Sequence, residues 1–211
     1  MKYFFSFVLA TIYTLSAHAQ APQRTVAITI DDLPVVSTRA NLTNRQQITK
    51  KIIGHIKKAK VPVIAFVNEN KLYNGEKRDE KQVDLLRMWL NAGLELGNHT
   101  FSHRSLNQIP LADYEADLLK GETITKELLA EKGRMIRFFR HPFLQTGRTL
   151  EIKAQFNTFL SEHGYTIAPI SFDNADYIFS RAYDNAFDKN DKKLMKQVGD
   201  AYIPYMEKKL E

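Results

Sequence analysis

The sequence contains no cysteine. Disulfide scaffolds, thiolate metal sites and thiol nucleophiles are therefore excluded, and any bound metal must be held by imidazole and carboxylate. Tryptophan occurs once, glycine nine times and proline seven times among 211 residues. That usage excludes collagen-like and low-complexity chains, and no internal repeat is present to build a solenoid. Long apolar runs are scarce as well. The one run, Tyr3 to Leu15, follows Met1-Lys2 and precedes Ser16-Ala17-His18-Ala19. A positive start, a short apolar core and an Ala-x-Ala site predict a signal peptide over residues 1–19. The run is short for spanning a bilayer, so no stable membrane anchor is expected after cleavage. The expected location is exported, either periplasmic or extracellular.

Residues 20–211 are then expected to form one domain. A composition of 44% hydrophobic and 26% charged residues suits a single sizeable core. The formal net charge of +6 fits an anionic envelope polymer or membrane surface, and equally a face of solvated lysines. The basic residues are not interleaved with aromatics, so no nucleic-acid partner is expected. Oligomeric state has no signature in the sequence.

Hydrophobic periodicity predicts alternating strands and helices. Val26, Ile28 and Ile30 mark a first strand that stops at Asp31-Asp32-Leu33-Pro34. Thr43 with Gln46 resembles a capping box opening a helix with Ile48, Ile52, Ile53, Ile56 and Ala59 on one face. Val61 to Val67 reads as the second strand, Asn68 to Lys77 as a polar loop, and Glu80 to Ala92 as a helix with Trp89 on its apolar face. Leu94 to Asn98 is a short strand, Leu111 to Lys132 a single helix, and Met135 to Phe139 a strand. A helix over Thr149 to His163 and a strand over Tyr165 to Phe172 follow. A charged loop, Asp184 to Lys193, then leads into a last helix interrupted or kinked near Pro204. Such alternation predicts a parallel α/β architecture, whose sites gather at the C-terminal ends of the strands.

Chemistry-bearing residues stand at those ends. His99 and His103 are four apart, the spacing that puts both imidazoles on one face of a helical turn. Six histidines in a chain of this length give such a pair by chance about one time in seven. Asp31-Asp32 read alone are turn and cap carboxylates, Arg140 a surface partner for an acid, and Asp173 with Asp176 loop caps. Asn98-His99-Thr100 also fits a glycosylation acceptor, but a glycan there would crowd the histidines.

In combination the order is specific. Thr29-Ile30-Asp31-Asp32, then His99-Thr100-Phe101-Ser102-His103, Arg140-His141-Pro142-Phe143 and Asp173-Asn174-Ala175-Asp176-Tyr177 resemble the first four motifs of the polysaccharide deacetylases. This is carbohydrate esterase family 4, which includes chitin, peptidoglycan and nodulation-factor deacetylases. The resemblance implies a distorted (β/α) barrel. It also implies one divalent metal, zinc with cobalt or nickel as alternatives, held by Asp32, His99 and His103. By the same resemblance Asp31 is the general base, Arg140 the arginine that pairs with it, and the backbone N–H of Phe143 the oxyanion donor. Asp176 supports an acid histidine, and Tyr177 stands where the family has tryptophan. Thr100 or Ser102 is a candidate support for a histidine. The family's fifth motif, a histidine in a C-terminal Leu-x-His strand, has no counterpart, because no histidine follows His163. The expected fold is thus a deacetylase-type barrel incomplete at the C-terminus. The expected activity is removal of N-acetyl groups from an N-acetylglucosamine polysaccharide. An O-acetyl esterase acting on xylan-type glycans and a non-catalytic glycan- or metal-binding module remain open.

Overall fold

The computed structural model describes residues 26–36 and 41–210, so the expected signal peptide, residues 1–19, lies outside the described residues. Five strands form one sheet, β1 (Ile28–Leu33), β2 (Val63–Val67), β5 (Glu95–Asn98), β6 (Phe138–Phe139) and β7 (Thr166–Ile167). They lie side by side in chain order, every neighbouring pair parallel. Parallel strands need crossovers, and helices supply them. These are α1 (Leu42–Ala59), α2 (Glu80–Asn91), α3 (Leu111–Lys120), α4 (Thr123–Ala130) and α5 (Leu150–Glu162). Two further helices, α6 (Asp176–Asp188) and α7 (Lys192–Leu210), pack on each other. No helix among the described residues is long and apolar enough to cross a membrane.

Side-chain alternation gives the sheet two different faces. Ala65 and Val67 of β2 join the cluster formed with Val83, Leu86 and Trp89 of α2. Phe66 lies on the other face, fully buried, with the Arg140 guanidinium 4.9 Å from its ring centroid. That approach requires Gly97 on β5, where a Cβ would stand 2.6 Å from the Phe66 ring. One face therefore packs a conventional apolar core, and the other carries polar chemistry over an aromatic floor.

Several elements depart from the periodicity. α1 is capped by Asn41, whose side chain accepts from Asn44 N at 2.9 Å, in place of the expected Thr43–Gln46 box. The loop expected over Asn68 to Lys77 holds a short 3₁₀ turn (Glu69–Leu72) and a hairpin, β3 (Tyr73–Asn74) with β4 (Lys77–Arg78). The single helix expected over Leu111 to Lys132 is two, parted at Gly121. The break coincides with a close approach of another segment. A Cβ on Gly121 would lie 2.4 Å from Phe101 N and 2.5 Å from the Thr100 carbonyl carbon, so the histidine-bearing segment passes directly over this residue. The strands expected over Met135 to Phe139 and Tyr165 to Phe172 shrink to two residues each, the second leaving the sheet just before Pro169. α6 begins at Asp176, so the fourth motif opens a helix and much of the expected Asp184–Lys193 loop is helical.

Candidate metal and catalytic site

The C-terminal end of β1 supplies both acids. Both acids lie where the β1–β2 register slips, between Ile30 and Leu33, and Asp32 adopts φ 69°. This turn aims the neighbouring carboxylates apart. Asp31 Oδ2 lies 3.4 Å from Arg140 Nη1 and 4.0 Å from His99 Nε2. Asp32 Oδ1 lies 3.5 Å from His103 Nε2.

The histidines are not on a helical turn, as their spacing had predicted. Thr100 and His103 take left-handed backbone, φ 62° and 55°, and the segment is an irregular loop beyond β5. Side-chain and backbone bonds hold it in place of helical ones. Asn98 Oδ1 accepts from Thr100 N at 2.7 Å, Thr100 Oγ1 accepts from His103 N at 3.1 Å, and Asn68 Nδ2 donates to His99 O at 2.6 Å. Ser102 instead donates to Asp117 Oδ1 at 2.6 Å and so anchors the loop to α3. Of the two candidate supports, Thr100 acts directly on the histidine segment. Asn98 itself is fully buried, which disposes of the glycosylation match.

The loop brings the rings together, with the His99 and His103 centroids 4.9 Å apart. One ligating atom from each of Asp32, His99 and His103 lies within 4.8 Å of the others, a spacing a single ion can bridge. Protonation suits the same task. His99 Nδ1 is 2.7 Å from the Arg140 carbonyl, so this nitrogen donates and Nε2 keeps its lone pair. Burial pulls the His99 imidazole down to about 4 and also lowers His103, leaving both neutral near pH 7. For Asp32 burial acts upward, but Lys71, His103 and His99 outweigh it and hold the carboxyl below its ordinary value. One carboxylate and two neutral imidazoles make a donor set suited to a borderline divalent ion such as zinc.

Asp31 is in the opposite condition. Burial pushes it up to about 6, with Arg140 opposing and Asp32 adding to the rise. Its Oδ1 is buried without a hydrogen-bond partner among the described residues. Arg140 is 1% exposed and also donates to Thr29 Oγ1 at 3.0 Å, so it straps β6 to β1 beneath the acids.

Beyond Arg140, Phe143 and Leu144 both take left-handed backbone, and the exposed Phe143 ring lies 4.5 Å from that of His103. Asp176 sits in the first turn of α6, near enough for its charge to act on Asp31. Tyr177 is 70% exposed and is not drawn into the cluster. The sequence reading missed Lys71 and Asn68, which lie in the supposed polar loop. Lys71 Nζ donates to Asp32 O at 2.9 Å, to Asp32 Oδ1 at 3.1 Å and to Asn68 Oδ1 at 3.0 Å. Loop residues have no periodicity to betray such a contact.

The polysaccharide deacetylase family model matches residues 18–168, which contain the acids, both histidines and Arg140. The chain belongs to the polysaccharide deacetylase family. A Bacillus cereus peptidoglycan-N-acetylglucosamine deacetylase is 28% identical over 153 residues, covering 72% of this chain and 46% of that protein. The chain thus spans about half the length of the curated relative it matches. Among solved structures, the chitin deacetylase of Colletotrichum lindemuthianum is 26% identical with a TM-score of 0.53, over 72% of this chain and 57% of that one. A mutant of a CE4 family pseudoenzyme with restored enzymatic activity is 18% identical, with a TM-score of 0.55 over 75% of this chain and 48% of that one. At that identity the likeness shows the fold alone. A fold that also serves a pseudoenzyme leaves activity to be argued from the site.

Proposed function

We propose that the chain carries the centre of an exported, metal-dependent deacetylase that hydrolyses N-acetyl groups on an N-acetylglucosamine polysaccharide of the peptidoglycan or chitin type. The observation that carries this reading is the division of labour between adjacent acids. Asp32 faces two neutral imidazoles, while Asp31 faces Arg140 and keeps one buried oxygen free. Asp32, His99 and His103 would hold the ion, with zinc the metal their chemistry favours. When bound, it supplies Lewis-acid polarisation of the acetyl carbonyl and a more acidic water.

The chain's own residues carry the proton, with Asp31 as the base and then, since no histidine follows His163, as the acid that returns this proton to the leaving amine. Asp31 accepts the proton of the attacking water, and an affinity for protons centred near pH 6 suits that task at neutral pH. Arg140 keeps the carboxylate oriented and ionised through Oδ2. The turn Pro142–Leu144 brings the Phe143 ring within 4.5 Å of the His103 ring, which supports the Phe143 backbone N–H as the donor to a developing oxyanion. Export fits a cell-envelope or extracellular glycan, and the relatives' printed substrates, peptidoglycan N-acetylglucosamine and chitin, support the amide over the ester.

The test is acetate release from chitooligosaccharides, peptidoglycan and acetyl-xylan, combined with metal analysis. Wild type is expected to bind about one zinc and to release acetate from the first two, with Asp32→Ala and His99→Ala losing both properties. Turnover of acetyl-xylan alone would move the assignment to an O-acetyl esterase, and metal retention without any turnover would make the chain a binding module.

A further inference from the structure

The chain's formal excess of six positive charges is confined to one short stretch. α1 and its cap residue carry Arg45, Lys50, Lys51, Lys57, Lys58 and Lys60 with no aspartate or glutamate, so the rest of the chain balances to zero. Arg45 is tied to Gln82 at 2.8 Å. None of the five lysines forms an ion pair among the described residues, and all five are exposed. On α2, which packs beside α1, the acids Glu80 and Asp84 are already engaged by Arg87 at 3.2 and 2.8 Å.

Lys50 and Lys57, seven residues apart, flank a groove of about 360 Å³ between α1 and α2. Ile53, Gly54, Met88, Asn91 and Ala92 line the rest of it. Gly54 keeps the groove open, since a Cβ there would meet nothing within 4 Å. Lys132 donates to Asn91 Oδ1 at 2.8 Å and brings a further cation to the lining. α1 runs from the metal end of β1 back to the start of β2, so Lys57 in its last turn lies at the opposite end of the sheet from Asp32.

We infer that this groove is a second binding site, an exosite for a carboxylate-bearing polysaccharide. Paired lysines take the carboxylates, the apolar side chains of the lining take the faces of sugar rings, and the Asn91 amide offers hydrogen bonds to hydroxyls. Two features of the groove select this partner. Ile53 and Ile56 are buried against the body of the fold, leaving α1 no apolar face to insert into a bilayer. No aromatic side chain lines the groove, so it offers no platform for stacking nucleic-acid bases. Polymer held on the flank would be retained on the enzyme without touching the reacting atoms. The exosite rests on the proposed glycan substrate for its biological sense, but not for its measurement.

The experiment is binding of the full chain to polygalacturonate, with dextran as the neutral comparator, by affinity electrophoresis at low and moderate salt. Wild type is expected to be retarded by polygalacturonate alone, less so as salt rises. Lys50→Gln/Lys57→Gln should weaken binding about tenfold, roughly the contribution of two ion pairs. The control Lys192→Gln/Lys193→Gln, with the same change in net charge, should leave it unchanged. Gly54→Leu keeps every charge and favours the helix, but adds a side chain to the groove lining, and should weaken binding as much as the lysine pair. Equal losses in both lysine pairs, full binding by Gly54→Leu, or no binding by wild type would each overturn the exosite. So would tighter, Lys50/Lys57-dependent binding to phosphatidylglycerol vesicles or a DNA oligonucleotide. Acetate release from a short neutral chitooligosaccharide should be the same in all these variants. Its loss in wild type would sink the activity reading and leave the polygalacturonate result standing.

Discussion

Asp31 and Asp32 are the same side chain one peptide bond apart, and the fold drives them in opposite directions. Asp32 is kept ionised by Lys71 and two imidazoles, whereas burial pushes Asp31 up to about 6 despite Arg140. Arg140→Met removes the one favourable charge on Asp31, so the pKa of Asp31 in metal-free protein should rise above about 6, read by NMR titration. In the metal-loaded enzyme the acid limb of kcat/KM should move upward in the same sense, with metal content unchanged. An unmoved limb would separate Arg140 from the base. Lys71 makes a different prediction. Asp32 occupies left-handed backbone, and Lys71 grips both its carbonyl and its carboxylate. Lys71→Met should weaken zinc binding roughly tenfold, the usual cost of losing an orienting partner behind a ligand. Tighter binding would show instead that the ammonium competes with the ion for Oδ1. The acids, the histidines and Arg140 were legible in the sequence because they stand at fixed places in ordered motifs. Lys71 and Asn68 were not, because a polar side chain reaching across 39 residues leaves no local pattern.

At the scale of elements, what periodicity conveyed depended on how much of each segment is packed against the core. α2 and β2 appear close to where their apolar residues predicted, since Val83, Leu86 and Trp89 on one and Ala65 and Val67 on the other bury against each other. Two-residue strands such as β6 and β7 offer no alternation to read, and their flanking apolar residues were counted as strand. The helical turn expected for His99–His103 failed for a related reason. Spacing of four is compatible with a helix, but Asn98, Asn68 and Asp117 hold the backbone in another shape through bonds that only the tertiary structure creates. Two glycines show how differently one residue type can act in helical surroundings. Gly121, between α3 and α4, lies under the histidine loop so closely that a Cβ there would come within 2.4 Å of Phe101 N, whereas Gly54 in α1 faces open space. Gly121→Ala should cost about 2 kcal/mol and weaken zinc binding, because relief of the clash must shift Thr100 and Phe101. Gly54→Ala should stabilise the protein by about 0.8 kcal/mol and leave the metal site alone. Denaturation with urea and zinc titration on both variants check the contrast, and equal effects would refute it.

Across the molecule, the site doubles as a clasp on the sheet. Asp32 belongs to β1 and the histidines follow β5, with β2 lying between those strands. An ion bound by the three would therefore tie together strands that share no backbone hydrogen bonds with each other. Arg140, immediately after β6, reaches back to Thr29 and Asp31 on β1 over the face of Phe66 and spans the same sheet by a second route. Binding of the ion to the folded state alone must raise stability by mass action, about 4 kcal/mol when free metal exceeds Kd a thousandfold. For a chain of this size that corresponds to a rise of roughly 8–16 °C in Tm. The clasp makes a sharper prediction than a general gain in stability. Chelation should lower Tm by that amount in wild type and by nothing in Asp32→Ala, and hydrogen exchange should quicken at the C-terminal ends of β1, β2 and β5 together. An ion bound only as a local ligand to the histidine loop would speed exchange after β5 while leaving β1 as protected as before. Exchange confined to that loop would therefore show that the cross-strand tie is carried by Arg140 and not by the metal.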